Sequence, residues 1–495
     1  MLAWTIYISF LGAAALALLP PESRRAARLT ALLTALAGLA IALVGAAQYE
    51  RQAPAGALVD LVNVPWIPDP DIGFHLAADG VSITLVLLTG IVAVAGVLFS
   101  WNIERRTREF FALYLALIGG VYGVFLSFDL FLLFVFYEIA IIPKYFLIAI
   151  WGSTRREYGA MKLALYSLVG SAMVLIGLIA AYVRSGAQTF DLLKLSQFPF
   201  PFAFQNWAFL LVFVGFAILA GLWPFHTWAP VGHVAAPTAA SMLLAGVVMK
   251  LGAYGALRVA MTLFPDGLRA WQNEIALLAV IGIVYGATVA LVQRDFKFVI
   301  GYSSVSHMGF VLLGLMTLTQ IGLSGAVLQM FSHGIIAGLL FAVVGRMIYD
   351  RVHTRELSAL QPMNLSVLAP FAAVTFVLAG AASMGLPGFS GFIAELQVLV
   401  GAWGSFPLLT ILAGAGLLVG IAYMVRVWIK AFFAENDLKS GVIQIEPISI
   451  PERAGALLLL AATVLIGLWP GLLLNLITPT LHSPLFQRLV KGGPP

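Results

Sequence analysis

Cysteine is absent from this chain of 495 residues. Without thiols the chain can form no disulfide framework, no thiolate metal site and no cysteine-ligated iron–sulfur cluster. Charge is the next shortage, because Asp, Glu, Lys and Arg together make up 10% of the residues, whereas a soluble protein averages about 25%. Neither a phosphate-binding loop nor a dinucleotide fingerprint occurs in the sequence. We therefore expect no cofactor and no metal in this chain.

Apolar residues are correspondingly abundant: 61% of the chain is hydrophobic, and the mean hydropathy is +1.00. These values predict an all-α, polytopic membrane protein, with residues 1–495 forming a single transmembrane domain. About fourteen apolar stretches are long enough to cross the roughly 30 Å hydrocarbon core. They lie near residues 2–20, 27–47, 80–100, 110–127, 129–151, 160–182, 206–228, 236–262, 274–292, 297–317, 320–345, 367–401, 405–431 and 453–477.

Basic residues concentrate in alternate loops, for example around Arg24, Arg105 and Arg155, whereas the loops near 48–79 and 183–205 contain fewer. The positive-inside rule then places both termini on the non-cytoplasmic side, which agrees with an even number of spans. The same rule explains the net charge of +5, so we expect a lipid bilayer as partner and no nucleic acid.

Two of the spans are interrupted by residues that break helices. Span 7 contains Pro224 and Pro230, and span 12 contains the glycine- and proline-rich segment 384–391. Backbone groups freed inside a membrane are tolerated only where protein or water satisfies them. Because the breaks are five spans apart, they suggest two related five-span halves, residues 110–262 and 274–431, with the transport path near the breaks.

Several spans carry ionisable residues near their centres, where each charge costs roughly 2.5–3.5 kcal/mol on insertion scales. Glu138 lies mid-span and is predicted to bind a proton; the alternative is a structural acid satisfied by a hydroxyl or a lysine. Lys250 is also central, which favours a proton relay over snorkelling to an interface. Lys144 follows Pro143, six residues after Glu138, so a direct pair between them is not indicated on a regular helix.

Histidines add to this set. His307 and His333 lie in consecutive spans among small and hydroxyl residues, which leave room for water, and a histidine can shuttle protons. Glu395 follows the break in span 12 and is predicted to be a terminal proton site. His226 and His233 flank the break after span 7 and lack the spacing of a helical metal site, so a water entrance and a structural role remain equally open.

Five short motifs stand out in the spans and at their ends: FYE at 136–138, WPFHTW at 223–228, APT at 236–238, YSSVSHMG at 302–309 and LPGFSGF at 386–392. Together they resemble the antiporter-like membrane subunits of respiratory complex I and its relatives, in particular the chain M type. That type is favoured because Glu395 stands where sister subunits and cation/proton antiporters typically carry lysine, and because no long lateral helix follows span 14.

The resemblance implies a fourteen-span fold with two inverted five-span repeats and a central axis of charged residues and water that carries protons. Redox cofactors and quinone would belong to other subunits, and the chain would have other membrane subunits, lipid, protons and water as partners. A bacterial inner membrane or a photosynthetic membrane is the expected location. The matching axis positions are Glu138, Lys250, His307, His333 and Glu395.

One expected axis residue is missing. The family's span-7 lysine should stand at Leu219, but no lysine occurs between Lys194 and Lys250; an acid is also replaced by Val231. Three interpretations remain open: Lys144 supplies the gate charge, the channel works without that gate or does not pump, or the chain belongs to a divergent complex with different coupling.

The resemblance thus implies a membrane-arm subunit of a proton-translocating NADH:quinone oxidoreductase, with no redox site of its own. The alternatives are a subunit of a multi-subunit cation/proton antiporter, a subunit of a membrane-bound hydrogenase or carbon-uptake complex, and a scaffold that does not pump.

Overall fold

The computed structural model describes residues 1–433 and 445–490. Helices dominate this part of the chain. In chain order they are α1 (Trp4–Leu18), α2 (Arg24–Gln52), α3 (Gly80–Phe99), α4 (Thr107–Leu126), α5 (Leu130–Trp151), α6 (Arg156–Ser185), α7 (Leu192–Gln197), α8 (Phe202–Ala220), α9 (Trp228–Ala235), α10 (Thr238–Met261), α11 (Pro265–Val292), α12 (Phe296–Met316), α13 (Gln320–Val352), α14 (Pro370–Ser383), α15 (Ser390–Trp403), α16 (Pro407–Phe432), α17 (Ile450–Leu468) and α18 (Gly471–Thr480). Single turns occur at Phe225–Thr227, Leu357–Leu360, Gln361–Met363, Leu365–Leu368 and Pro484–Gln487.

Twelve helical stretches among the described residues are long and apolar enough to cross a membrane, one of them running from α8 through α9. The other two predicted spans correspond to shorter apolar helices: α1, and the pair α14 and α15. The prediction of an all-α, polytopic membrane protein is therefore confirmed. The predicted boundaries of the last span were wrong, because the helix ends at Leu468 and a separate helix, α18, follows Trp469 and Pro470.

Aspartate side chains begin several of these helices. Asp79, Asp129 and Asp295 accept hydrogen bonds from the first free amides of α3, α5 and α12 respectively. A capped amide needs no water, so the helix can begin at the membrane boundary without an unsatisfied donor.

Both predicted breaks interrupt regular helix. Gly221 ends α8 at φ +84°, and α9 resumes at Trp228 after a single turn. Between α14 and α15 the chain passes through Gly385 (φ +69°) and Gly388 (φ +95°). These left-handed conformations are open to glycine but strained for other residues.

A β-hairpin covers one end of the helices and was not predicted. Strands β1 (Val59–Ile67) and β2 (Ile72–Ala78) pair antiparallel, with Val59 opposite Ala78 and Ile67 opposite Ile72. The hairpin is tied to the start of α5, because the amide of Gly73 donates to Asp129 Oδ2 over 3.0 Å. It lies in the loop between α2 and α3, on the side opposite to the arginine-rich loops.

The most deeply buried helices are α10 and α13, whose apolar windows are wholly enclosed, followed by α3 and α12. By contrast, α6 and α16 expose one face along their length, with side chains such as Leu165, Ile176, Leu418 and Ile429. Residues on α10, α12 and α13 are therefore shielded from lipid, and it is on these helices that three of the predicted axis residues lie.

Candidate functional site

Lys250 occupies the middle of α10 and is completely buried. The segment Leu244–Val248 just before it is a π-helical turn, so its backbone carbonyls depart from the regular α-helical hydrogen-bond pattern. The Lys250 ammonium donates to one of them, the carbonyl of Ala245, and lies 2.9 Å from Nδ1 of His333. Because an ammonium can only donate, Nδ1 of His333 accepts, and the ring hydrogen is on Nε2.

His333 on α13 and His307 on α12 meet face to face. Their rings are stacked, with centroids 5.4 Å apart and planes inclined by 28°. The neighbouring residues pack against other helices: Ser306 donates to the carbonyl of Ile283 over 2.9 Å, and a Cβ added to Gly334 would lie 2.5 Å from the carbonyl oxygen of Gly246.

His307 also contacts Glu395 on α15. Its Nδ1 lies 3.0 Å from Glu395 Oε1, and its Nε2 lies 3.1 Å from the hydroxyl of Ser383. Gln329 also donates to Glu395 Oε1 over 3.2 Å. The structure thus brings together four of the predicted residues in the order Lys250, His333, His307, Glu395, and each member can take up or release a proton.

The second carboxyl oxygen of Glu395 faces the break between α14 and α15. Oε2 is buried and has no hydrogen-bond partner among the described residues, and a Cβ atom added to Gly385 would lie 2.7 Å from it. The glycine therefore leaves the space that this oxygen occupies. Sequence analysis missed Gln329, although a glutamine in the middle of an apolar span is itself a signal.

Glu138 and Lys144 on α5 are not part of the series of contacts from Lys250 to Glu395. Within the described residues, Glu138 Oε1 and Lys144 Nζ are buried and have no hydrogen-bond partner, and no ion pair within 4.0 Å links the two side chains. The sequence left a direct pair possible but not indicated, and among the described residues the two side chains make no such pair. Leu219 is buried near the end of α8, so the expected lysine position holds an apolar side chain.

His226 and His233 are both buried, and none of their ring nitrogens has a hydrogen-bond partner in the described ranges. His233 on α9 packs against the ring of Phe341, with centroids 5.1 Å apart, and lies within electrostatic range of Lys250 and Lys297. His226 packs against Tyr285 at 5.2 Å. Across residues 1–433 and 445–490 no cluster of three His, Asp or Glu side chains is placed to hold a metal ion.

Lys297, which sequence analysis overlooked, lies at the start of α12 on the side of the basic loops. Its ammonium donates to the carbonyl of Ala236 over 3.2 Å and lines a cavity of about 180 Å³ together with Ser153 and Asp350. The cavity is large enough for several water molecules. It lies on the same side of Lys250 as His233.

A buried ion pair on the opposite side was also overlooked. Arg258, one turn beyond Tyr254 on α10, contacts Asp79 through two guanidinium nitrogens, at 2.6 and 2.7 Å. The ring of Phe128 stacks on the guanidinium, with the centroid 4.9 Å away. A pair with this bidentate geometry fixes α10 against the start of α3.

Comparison with known proteins places these residues in a family. Residues 127–422 match the sequence model of a family described as NADH:quinone oxidoreductase/Mrp antiporter, TM. The chain belongs to this family. All of the predicted axis residues lie within the matched region, and the resemblance seen in the sequence motifs is confirmed.

Relatives of known name share about a third of their residues with this chain over nearly its full length. A protein from Rhodobacter capsulatus named NADH-quinone oxidoreductase subunit M is 36% identical, covering 96% of this chain and 94% of the relative. A protein from Picosynechococcus named NAD(P)H-quinone oxidoreductase chain 4 3 is 37% identical, covering 88% and 80%. Within the family the chain is therefore of the subunit M type.

Solved structures agree with this assignment. A chain of respiratory complex I from Thermus thermophilus superimposes with a TM-score of 0.88 at 28% identity, covering 99% of this chain and 100% of that one. A chain of the Mrp complex from Dietzia superimposes with a TM-score of 0.83 at 22% identity, covering 98% and 97%. The second likeness shows a common fold only.

Proposed function

We propose that this protein is a membrane-arm subunit of a proton-translocating NADH:quinone oxidoreductase. In this proposal its partners are the other membrane subunits of the complex, and the redox cofactors and quinone are bound elsewhere in it. The relatives named as subunit M support this assignment. The membrane would be a bacterial inner membrane or a photosynthetic one, with both termini on the non-cytoplasmic side.

In the proposed mechanism, a proton moves along the contacts from Lys250 through His333 and His307 to Glu395. The single observation that carries this is the series of contacts from Lys250 to Glu395. Lys250 Nζ lies 2.9 Å from His333 Nδ1, the two imidazoles stack with centroids 5.4 Å apart, and His307 Nδ1 lies 3.0 Å from Glu395 Oε1. A protonated Lys250 gives a proton to Nδ1 of His333, which releases one from Nε2. His307 gives its Nδ1 proton to the carboxylate of Glu395 and takes one up at Nε2. Ring rotation or water between the stacked rings would carry the proton from His333 to His307.

Water would reach this axis from the cavity beside Lys297, by way of His233. The position of His233 within range of Lys297 and Lys250 supports the route. Glu138 would take up or release a proton in the first five-span half, residues 110–262, at the end opposite to Lys250. We further propose that residues 110–262 and 274–431 are two inverted repeats, because each contains one interrupted helix and the two interruptions are five spans apart.

The test is proton pumping by the intact complex in sealed vesicles, with Glu395→Gln compared against the wild type. We expect pumping per electron to fall and turnover to slow by at least about tenfold, as for loss of a positioned proton-transfer group. Glu104→Gln is the matched control, since the side chain of Glu104 is 73% exposed in a loop and should leave pumping unchanged.

A scaffold that does not pump is the second candidate function, and Leu219 in place of a lysine is the observation that favours it. The same experiment separates the two candidates. If the Glu395→Gln complex assembles with normal subunit content and pumps normally, the relay is not used and the scaffold is the better description.

A further inference from the structure

Two ionisable groups on α5 differ from the other buried charges in having no polar partner. The side chain of Lys144 is 1% exposed, and its Nζ makes no hydrogen bond within the described residues; the same holds for Oε1 of Glu138. By contrast, Lys250 and Arg258 both have polar partners. Because an unpaired charge is costly at this depth, the two groups on α5 must compensate each other.

The spacing allows this compensation without contact. Six residues of regular helix separate the two Cα atoms by about 9 Å and rotate them by about 120°. Pro143 lies inside α5 between them, and a proline opens the local hydrogen-bond ladder and bends the helix. Glu138 is the charged group that acts electrostatically on Lys144.

The face of α5 that carries Lys144 contacts the interrupted helix through Tyr137. Lys144 continues a buried stripe that includes Tyr137, Ile141 and Ile148. The ring of Tyr137 meets the ring of Phe216 on α8 edge-on, with centroids 5.6 Å apart. Leu219, one turn further along α8, is buried and uncharged, and no lysine or arginine occurs anywhere on α8. The only ammonium available to Glu138 from this pair of helices is therefore that of Lys144.

We propose that Lys144 is the cation that controls the protonation of Glu138, taking the place of a charge that α8 lacks. When the ammonium carries its proton, the Glu138 carboxylate is stabilised. When the ammonium loses its proton to the path, the Glu138 carboxylate loses this electrostatic stabilisation and binds a proton from the path more tightly. Lys144 acts through Glu138 as a positioning residue, and the inference rests on the proposed proton-translocating function.

The experiment measures protons pumped per electron by the whole complex in sealed vesicles for Lys144→Met, Lys144→Arg and Glu138→Gln. We expect Lys144→Met and Glu138→Gln to lower the ratio to a similar extent. Lys144→Arg, which retains the charge, should recover most of the loss. The double variant should be no worse than either single variant, because both changes remove the same interaction.

A further variant removes the positive charge from α5 and places one on α8. Leu219→Lys, introduced together with Lys144→Met, should restore the ratio, which a merely structural role for Lys144 would not allow. Lys430→Met, at the end of α16, is the matched control for loss of a lysine and should have no effect. Subunit content is measured for every variant, so that failure of assembly is recognised.

The outcomes separate the two proposals. If Glu138→Gln lowers the ratio and Lys144→Met does not, the assignment of Lys144 is wrong and the proposed function stands. If Lys144→Met and Glu138→Gln add in the double variant, the two groups act independently and the inference is also overturned. If neither Glu138→Gln nor Glu395→Gln changes pumping in an assembled complex, the proposed function itself fails.

Discussion

Two carboxyl groups in the membrane region, Glu395 and Glu138, have opposite surroundings. Glu395 is oriented by His307 and Gln329, both within 3.2 Å of one oxygen. Glu138 has a buried oxygen with no partner among the described residues. A carboxyl group oriented by hydrogen bonds can exchange a proton directly with its partner. The protonation of a carboxyl group without such a partner depends mainly on nearby charges. The two acids are therefore suited to different steps of one path.

A pH dependence is expected at His75, which lies on β2 outside the membrane-spanning helices. Its ring nitrogens contact Asp191 at 3.0 Å and Asp60 at 2.9 Å. Burial by itself lowers the pKa of His75, but these two hydrogen bonds outweigh burial, so its pKa is raised. The imidazolium therefore stabilises the folded state fully below its ordinary pKa of about 6.5, and the contribution is lost as pH rises through the raised pKa.

Melting temperature measured at a series of pH values checks this expectation. The wild type should lose stability relative to His75→Gln as the medium becomes alkaline, since the variant lacks the titrating group. The groups that face His75 are Asp60 on the hairpin and Asp191 before α7. His353→Gln serves as control, because His353 is exposed on a loop at the other end of the molecule. Equal pH profiles for His75→Gln and wild type would contradict the argument.

Residues with a role in the axis could be predicted from the sequence because ionisable groups are rare in apolar spans. The same reasoning missed the partners: Gln329 is uncharged, and Asp79 lies at a span boundary, where an acid is unremarkable. That Asp79 contacts Arg258 depends on the packing of α3 against α10. Contacts between residues far apart in sequence are set by tertiary structure, which periodicity and composition do not report.

At the scale of the elements, the break between α14 and α15 combines backbone conformation with the position of a functional side chain. Gly385 adopts φ +69°, and it leaves room for the free oxygen of Glu395. The break therefore both ends α14 and creates the space into which Glu395 projects.

Gly385→Ala should lower both stability and pumping. An alanine in the left-handed region costs about 1–2 kcal/mol, and its Cβ would meet Glu395 Oε2. We expect a lower melting temperature in detergent and a reduced proton-to-electron ratio in vesicles. Gly404→Ala is the matched control, because Gly404 has φ −69° and a Cβ there would meet nothing within 4 Å. An unchanged ratio for Gly385→Ala would show that the space beside Glu395 is not needed.

Helices were easier to predict than other elements. Long apolar stretches with basic ends give helices such as α12 and α13 within a few residues. The hairpin of β1 and β2 was missed because β1 contains Asp60 and Pro65, which are uncommon in strands, and its apolar residues do not alternate regularly with polar ones. The division of the last span into α17 and α18 was missed because the residues around Trp469 and Pro470 are as apolar as a membrane span.

At the scale of the whole molecule, the orientation in the membrane remains a prediction from the loop charges. The basic loops adjoin the cavity at Lys297, and the hairpin lies at the other end. If the positive-inside rule holds, the hairpin and both termini face the non-cytoplasmic side.

The absence of cysteine makes this orientation directly testable. Single substitutions Asp69→Cys in the hairpin turn and Glu104→Cys in a basic loop each introduce one thiol into an exposed position. In intact cells or right-side-out vesicles, a membrane-impermeant maleimide should label Asp69→Cys and should label Glu104→Cys only after permeabilisation. The unsubstituted chain is the control for background labelling. The reverse pattern would invert the proposed topology.

The π-helical segments of α10 have a consequence for how this helix tolerates changes in length. Leu244–Val248 and Ala256–Met261 lie on either side of Lys250, and a π turn holds one residue more than an α turn. Removing one residue from a π turn leaves an α-helix whose flanking parts keep their mutual rotation, whereas the same deletion in an α-helix turns everything beyond it by about 100°. A one-residue deletion in either π-helical segment would therefore leave the rotation of Lys250 about the helix axis unchanged. The lysine would still face His333.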